Sequence, residues 1–358
     1  MSHWLLDRIY SKMDTGVSID SDWEEYKRQV DQEPKATKVM IYFGVWRAAY
    51  YRVFTPFMQL AKDPKYDIRI SAGPLWSSED IEWADVVLFY RIADPRIVAE
   101  AKKIKGSKGI WFDTDDYMHG IPPYHESYTG VANSRHLQCM DEICDMADVM
   151  TVSTKYLKKL YQKRYRTKIE VLPNCVRKDD YSISKHSMGR DCPYIAWAGS
   201  VHHDEDLRQV VPELKELVRK GAKLLTVNYI PQQQKDVFES IPREKRLHIV
   251  GTHPHLVSSL LNLADVAIAP LVDNEFNRAK SNVKFLESGM LGIPLVASAL
   301  EPYLHDWEIT KATTDWTEKI WKAKAYGRIK DLPERVLKKY SIQNHAHKWK
   351  TLIERIKK

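Results

Sequence analysis

No stretch of this chain approaches eighteen consecutive apolar residues, so none of its 358 residues reads as part of a membrane span. Cysteine is scarce. Cys139, Cys144, Cys175 and Cys192 make no C-x-x-C pair and no zinc spacing, which reads as free thiols in a reducing cytoplasm. With 14 glycines and 17 prolines, the chain is too poor in both for low complexity. The opening MSHWLLDRIYSKMD has only Trp4, Leu5 and Leu6 as an apolar run, which is not a signal-peptide pattern. Three fingerprints are also missing. GVWRAAYYR, not G-x-G-x-x-G, follows the run KVMIYF, which excludes the dinucleotide motif. No G-x-x-x-x-G-K-[ST] occurs, so a P-loop ATPase is out. No G-x-S-x-G occurs, which removes the commonest hydrolase reading.

What remains is a globular composition, 44% hydrophobic and 29% charged, in a chain long enough for two domains. Residues 1–36 are polar with scattered apolar positions and read as an N-terminal helical extension. From there KVMIYF (38–43), YDIRIS (66–71), DVVLFY (85–90), KGIWFD (108–113), DVMTVS (148–153) and KIEVLP (168–173) read as strands. Helical periods fall between several of them, at 51–62 and 95–105. A second series follows: PYIAWAG (193–199), AKLLTVN (222–228), RLHIVG (246–251), DVAIAP (265–270) and IPLVAS (293–298). Its helical segments are 204–219, 256–263 and 279–290. Strands alternating with helices specify parallel sheets covered on both faces. The expected organisation is an α/β pair of tandem doubly wound domains, 37–176 and 193–333, joined by a polar linker over 177–192. A helix at 334–358 is expected to pack back across the junction.

Charge is concentrated. Residues 151–190 hold eleven Lys/Arg against three acids, a local excess larger than the +7 of the whole chain. Lys158, Lys159, Lys163, Arg164 and Arg166, interleaved with Tyr156, Tyr161 and Tyr165, suit a polyanion. A solvated helix accounts for the same residues.

Ligands of open parallel sheets collect beyond the carboxyl ends of the strands, so the polar residues there are the candidates. WFDTDDYMHG places Asp113, Asp115 and Asp116 after a strand, with His119 close behind. Crowded carboxylates repel, and one that resists ionisation is a candidate base for a hydroxyl. D-x-D metal binding and helix capping are the alternatives. In AWAGSVHHDEDL, Gly199 and Ser200 between a strand and a helix suit an anion, with His203 and Asp206 on one helical face. In APLVDNEFNRAKSNVKFLESG, the spacing of Lys280, Lys284 and Glu287 puts them along one helical face. Two ammonium groups followed by a carboxylate suit a phosphate and then a ribose diol.

The third motif, Asp273-Asn274-x-Phe276-Asn277-x-Ala279-Lys280-Ser281-x-x-Lys284-x-x-Glu287 followed by Gly292-x-Pro294-x-Val296-Ala297-Ser298, resembles a known segment. It is similar to the donor-binding segment of GT-B glycosyltransferases of the glycogen-synthase-like, retaining type. Gly199-Ser200-x-x-His203-x-x-Asp206-Leu207 resembles the loop that opens their C-terminal domain. Phe112-Asp113-x-Asp115-Asp116, Ala147-Asp148-Val149-x-x-Val152-Ser153 and Arg52 within Tyr50-x-Arg52-x-x-x-Pro56 resemble the N-terminal domain of a bacterial and bacteriophage branch. The likeness runs over about 38–300. The family's E-x7-E pair has Ala279 where its first Glu stands.

The resemblance implies two Rossmann-like domains facing a cleft and metal-independent transfer of a hexose or pentose from a nucleotide-diphosphate sugar, UDP or GDP, to a hydroxyl. It implies a donor site of Gly199, Ser200, His203, Phe276, Asn277, Lys280, Ser281, Lys284 and Glu287, with no metal and no further cofactor. Asp113, Asp115, Asp116 or His119 would act on the acceptor, flanked by the basic surface Arg52, Lys158, Lys159, Lys163, Arg164 and Arg166. The expected acceptor is a hydroxymethylated base in double-stranded phage DNA, flipped out of the duplex, in the host cytoplasm. Saccharide or lipid-linked acceptors are the alternative. A non-catalytic nucleic-acid-binding protein on the same scaffold is the second.

Overall fold

The computed structural model describes residues 36–44, 46–73, 77–125, 128–131, 134–182, 193–199, 203–228, 238–249, 254–306 and 309–358. The expected extension, apart from residue 36, lies outside the described residues. So do Ser200, Cys192 and most of the expected linker.

Six strands, β1 (Thr37–Phe43), β2 (Tyr66–Ala72), β3 (Val86–Tyr90), β4 (Gly109–Thr114), β5 (Val149–Val152) and β6 (Ile169–Val171), form one sheet in the order β2-β1-β3-β4-β5-β6. Every pairing is parallel. The central strands are continuous apolar runs because helices cover both faces; β3 is buried at all its positions. The second sheet contains β7 (Tyr194–Ala198), β8 (Lys223–Val227), β9 (Arg246–Ile249), β10 (Val266–Ala269), β11 (Leu295–Ser298) and β12 (Thr310–Ala312), ordered β12-β11-β10-β7-β8-β9 and again parallel. The strand order reverses at β1/β3 in the first sheet and at β7/β10 in the second. Those are the two points where a doubly wound sheet leaves a crevice.

Three expected helices are broken. The segment 204–219 divides into Asp204–Arg208 and Val211–Arg219, where Pro212 sits in the first turn of the second piece. The segment 279–290 begins as a helix at Val283; Lys280 ends the preceding helix Glu275–Ala279 with an extended ψ of 160°. The segment 334–358 breaks at Ser341, whose hydroxyl caps the next helix by accepting from the Asn344 amide at 3.3 Å.

Of the two pieces at the C-terminal end, Leu332–Tyr340 packs on the second core through Leu332 and Val336. Ile342–Ile356 packs on the first core, where Trp349, Leu352, Ile353 and Ile356 meet Phe57, Trp111 and Val149. Lys350–Asp63, Arg355–Glu170 and Lys358–Asp148 ion pairs flank this helix. Gly109 of β4 approaches it so closely that a Cβ there would lie 2.6 Å from the Ile356 carbonyl oxygen.

Candidate active site

The strand β4 ends in carboxylates with different surroundings. Asp113, 2% exposed, lies within the sheet and is gripped by Arg52, whose Nε donates to Oδ1 at 2.9 Å and whose Nη2 donates to Oδ2. Thr151 donates to the same Oδ2, and Arg52 Nη1 donates to the Leu172 carbonyl and Asn174. Arg52 is itself 2% exposed and stands in a π-helical turn, Tyr50–Phe54, that follows β1. Asp113 is therefore closed to an acceptor and Arg52 is no surface cation. The two join the turn Tyr50–Phe54 to β4, β5 and the residues after β6.

Asp115 and Asp116 emerge beyond the strand and share one cation. Arg91 Nη1 donates to Asp115 Oδ1 at 3.2 Å and to Asp116 Oδ2 at 2.9 Å. Arg91 follows β3 in a left-handed conformation, φ 47°, uncommon for a side chain of this size. Its backbone is pressed against Gly44, where a Cβ would lie 2.5 Å from the Arg91 carbonyl oxygen. Tyr90 donates to Asp115 Oδ1 at 2.8 Å. Burial pushes the Asp115 carboxyl above its ordinary value, and the neighbouring Asp116 adds to this. Burial acts on Asp116 too, but Lys280 and Arg91 outweigh it and hold that carboxyl down at about 2.

The second domain meets this pair with cations. Lys280 Nζ lies 3.9 Å from Asp116 Oδ1 and 4.5 Å from the centroid of the Phe276 ring. Lys284, on the helix Val283–Gly289, donates to the Ala198 carbonyl at the end of β7 and stands 4.8 Å over the Trp197 ring. Burial, aided by Lys280, lowers its ammonium to about 8. Glu287, one turn on, accepts at 2.8 Å from the Tyr51 hydroxyl of the first domain, and burial raises its carboxyl. His203 Nδ1 lies 2.7 Å from Asp206 Oδ2, and burial followed by Lys280 brings the imidazole down to about 4. Nδ1–H then faces the carboxylate, which leaves Nε2 as an acceptor. Asp206 Oδ1 in turn accepts from the Val272 amide at 2.7 Å and from Asn277 Nδ2 at 2.8 Å. His203, Asp206 and Asn277 therefore form one buried chain of bonds rather than a surface pair.

Gly199 makes this approach possible. A Cβ there would lie 2.5 Å from the Trp197 ring and 2.9 Å from Lys284 Nζ. Its amide is already used, donating to the Val227 carbonyl at 3.0 Å, so the expected anion contact from that N–H is not available. Ser281 accepts from Asn174 Nδ2 at 2.8 Å, another bond between the domains. Phe276 and Ala279 are packed into the first domain's core, and the Ala279 carbonyl accepts from Thr154 at 3.0 Å. Position 279 therefore faces protein rather than Lys284 and Glu287, which is a packing reason for an alanine there.

His119 is placed elsewhere. Its Nε2 lies 3.0 Å from Asp141 Oδ1, its ring is edge-on to Tyr161 and Tyr165, and burial followed by Arg164 lowers its basicity. All these partners belong to the first domain, and among the described residues the His119 side chain bonds to Asp141 rather than to Asp115, Asp116 or Lys280. The basic segment is corrected too. Tyr161 and Tyr165 are 0% and 6% exposed, and the Tyr161 hydroxyl bonds to the Asp116 carbonyl and the Met118 amide. They cannot stack on bases. Arg164 is held by Asp141, which leaves Lys159, Lys163 and Arg166 as exposed cations, with Lys158 half-buried.

Among the described residues, no group of three or more His, Cys, Asp or Glu side chains is placed to hold a metal ion. Nor is any helix there long and apolar enough to cross a membrane. Asp113 and Asp115, the expected D-x-D pair, are separately occupied by Arg52 and Arg91. Tyr51, Arg91 and Asn174 were not foreseen as site residues.

No family model and no curated protein matches the chain. Solved structures do. The catalytic domain of starch synthase IV from Arabidopsis thaliana, bound to ADP and acarbose, matches with a TM-score of 0.59 at 9% identity, over 88% of this chain and 99% of that one. A glycosyltransferase from Rickettsia africae ESF-5 matches with 0.58 at 12% identity, over 89% and 98%. TarM of S. aureus matches with 0.56 at 12% identity, over 75% of this chain and 54% of TarM. At such identities the likeness establishes the architecture: this chain has the GT-B fold of two facing Rossmann-like domains.

Proposed function

We propose that the chain is a glycosyltransferase that moves a sugar from a nucleotide-diphosphate donor to an acceptor hydroxyl. The observation that carries this reading is the approach of Lys280 of the second domain to Asp116 of the first at 3.9 Å, with His203 and Lys284 close enough to Lys280 to feel its charge and Glu287 close to Lys284. Breaking the bond between the anomeric carbon and the diphosphate separates an oxocarbenium-like sugar from a departing anion. Lys284 and Lys280 would receive that anion. Held in place before reaction, they need no reorganisation as charge develops. Glu287 would accept from the ribose hydroxyls. His203 Nε2 would accept from a hydroxyl of the transferred sugar. Asp115 is the better base of the carboxylate pair because burial raises it, whereas Asp116 is held too acidic and serves to order Lys280. With cations in the leaving-group role, no metal is required. Solved neighbours of the fold carry ADP or, in a pneumococcal O-GlcNAc transferase at 13% identity, UDP, so a uridine or adenosine donor heads the candidates.

For the acceptor, burial of Tyr161 and Tyr165 takes two of the three tyrosines out of the nucleic-acid argument, and the third, Tyr156, is half-buried against the same core. A saccharide hydroxyl is the better reading. The test is nucleotide release from UDP-, ADP-, GDP- and dTDP-sugars, each alone, with a saccharide mixture, with hydroxymethylated duplex DNA and with plain DNA. Release stimulated by saccharide supports the proposal. Stimulation by hydroxymethylated DNA alone would reinstate a DNA acceptor, and no release from any donor would contradict the enzyme reading.

A further inference from the structure

The π-helical turn Tyr50–Phe54 has all five residues buried. A π turn holds one residue more than an α turn, and such turns concentrate at functional sites. Here it sends successive side chains to different ends: Arg52 to Asp113 of its own domain, and Tyr51 across to Glu287 of the other, 236 positions along the chain. The Tyr51 ring is fixed edge-on to Tyr50 at 5.1 Å, and the pair packs against Val283, the first residue of the helix that carries Glu287. Tyr181, a residue of the connection between domains, is close enough to Tyr51 and Glu287 to interact with both electrostatically. The Tyr51 bond to Glu287 crosses from one domain to the other.

That bond occupies Glu287 Oε1. Among the described residues, Oε2 accepts no hydrogen bond, and a carboxylate has acceptor sites on both oxygens. We infer that Tyr51 is a positioning residue for the donor: its hydroxyl holds Glu287 so that Oε2 faces the ribose diol of a nucleoside diphosphate. The inference rests on the glycosyltransferase reading above and adds a consequence to it. Because Tyr51 and Glu287 belong to different domains, the ribose is recognised fully only while the domains stand in this relation. Recognition of the diol is thereby tied to closure, and the tie is absent from a donor without it. Burial raises the Glu287 carboxyl, while Lys284 and Tyr51 pull it back towards the ionised form that accepts a hydroxyl.

The test uses the full chain and calorimetric titration with ADP, UDP and GDP and with the 2′,3′-dideoxy form of each. The native chain is expected to prefer the ribose form of its nucleotide. Tyr51→Phe is expected to cut that preference about tenfold, the size of one hydrogen bond to a charged group, and to leave the dideoxy affinity unchanged. Equal loss for ribose and dideoxy forms would reduce Tyr51 to a packing residue and overturn the inference, as would an unchanged preference. If the native chain binds both forms equally, the nucleotide reading stands and this inference fails. If it binds none of the three diphosphates, both fall.

Discussion

Lys284 and Arg52 are both buried cations, yet their surroundings predict opposite effects of removal. Arg52 is matched by Asp113, Asn174 and the Leu172 carbonyl, so its loss leaves a carboxylate in the sheet without its charge partner. Arg52→Met should lower unfolding free energy by about 3–5 kcal/mol, read by denaturant titration. Lys284 has a carbonyl, a ring and the Glu287 carboxyl one turn on for company, but burial outweighs them and its ammonium is lowered to about 8. Between that value and the ordinary lysine value near 10.4, the unfolded chain holds a proton that the folded chain has released. Stability therefore rises with pH across this window, and at neutral pH the charge is a burden on the fold. Lys284→Met should not lower the melting temperature at pH 7. Donor affinity has the reverse dependence: kcat/KM for the donor should fall as pH rises through about 8, and Lys284→Arg, which stays charged, should remove that limb. A limb that persists in the arginine variant would assign the titration to another group.

At the scale of the element, the strand runs were legible because they are buried on both faces, as in VVLFY of β3. β12 was not. Thr310–Ala312 is three residues at a sheet edge, too short and polar for any period to show. Helix breaks were missed where tertiary bonds override spacing. Lys280 and Lys284 have the i, i+4 interval of one helical face, but Lys280 has left the helix, and Asp116 and Phe276 now place it. Gly199 marks where strand, ring and ammonium crowd together. Gly199→Ala should disorder Lys284 and Trp197 together, with loss of nucleotide binding and a change in tryptophan fluorescence; native titration curves would contradict this.

At the scale of the whole molecule, the sequence-distant contacts decide the site, and these are what periodicity cannot see. Tyr51 with Glu287, Asp116 with Lys280 and Asn174 with Ser281 each pair one domain with the other. The cluster Phe276 to Glu287 could be singled out because its residues lie close together in sequence, whereas the pairing of Arg91 with Asp115 could not, since the two meet only through the order β3-β4. The helix Ile342–Ile356 follows the second domain but completes the first core. Burial of Trp349, Leu352, Ile353 and Ile356 contributes about 1.5–3 kcal/mol each, comparable together to the net stability of a domain. Truncation after Ser341 should leave the first domain without cooperative unfolding, checked by calorimetry. The most direct test of the account is donor-sugar turnover by the native chain and by Lys284→Met, with melting curves recorded in parallel. The account predicts nucleotide release that falls by about 10²–10³ in the variant while the fold holds. Equal release from both proteins would contradict it.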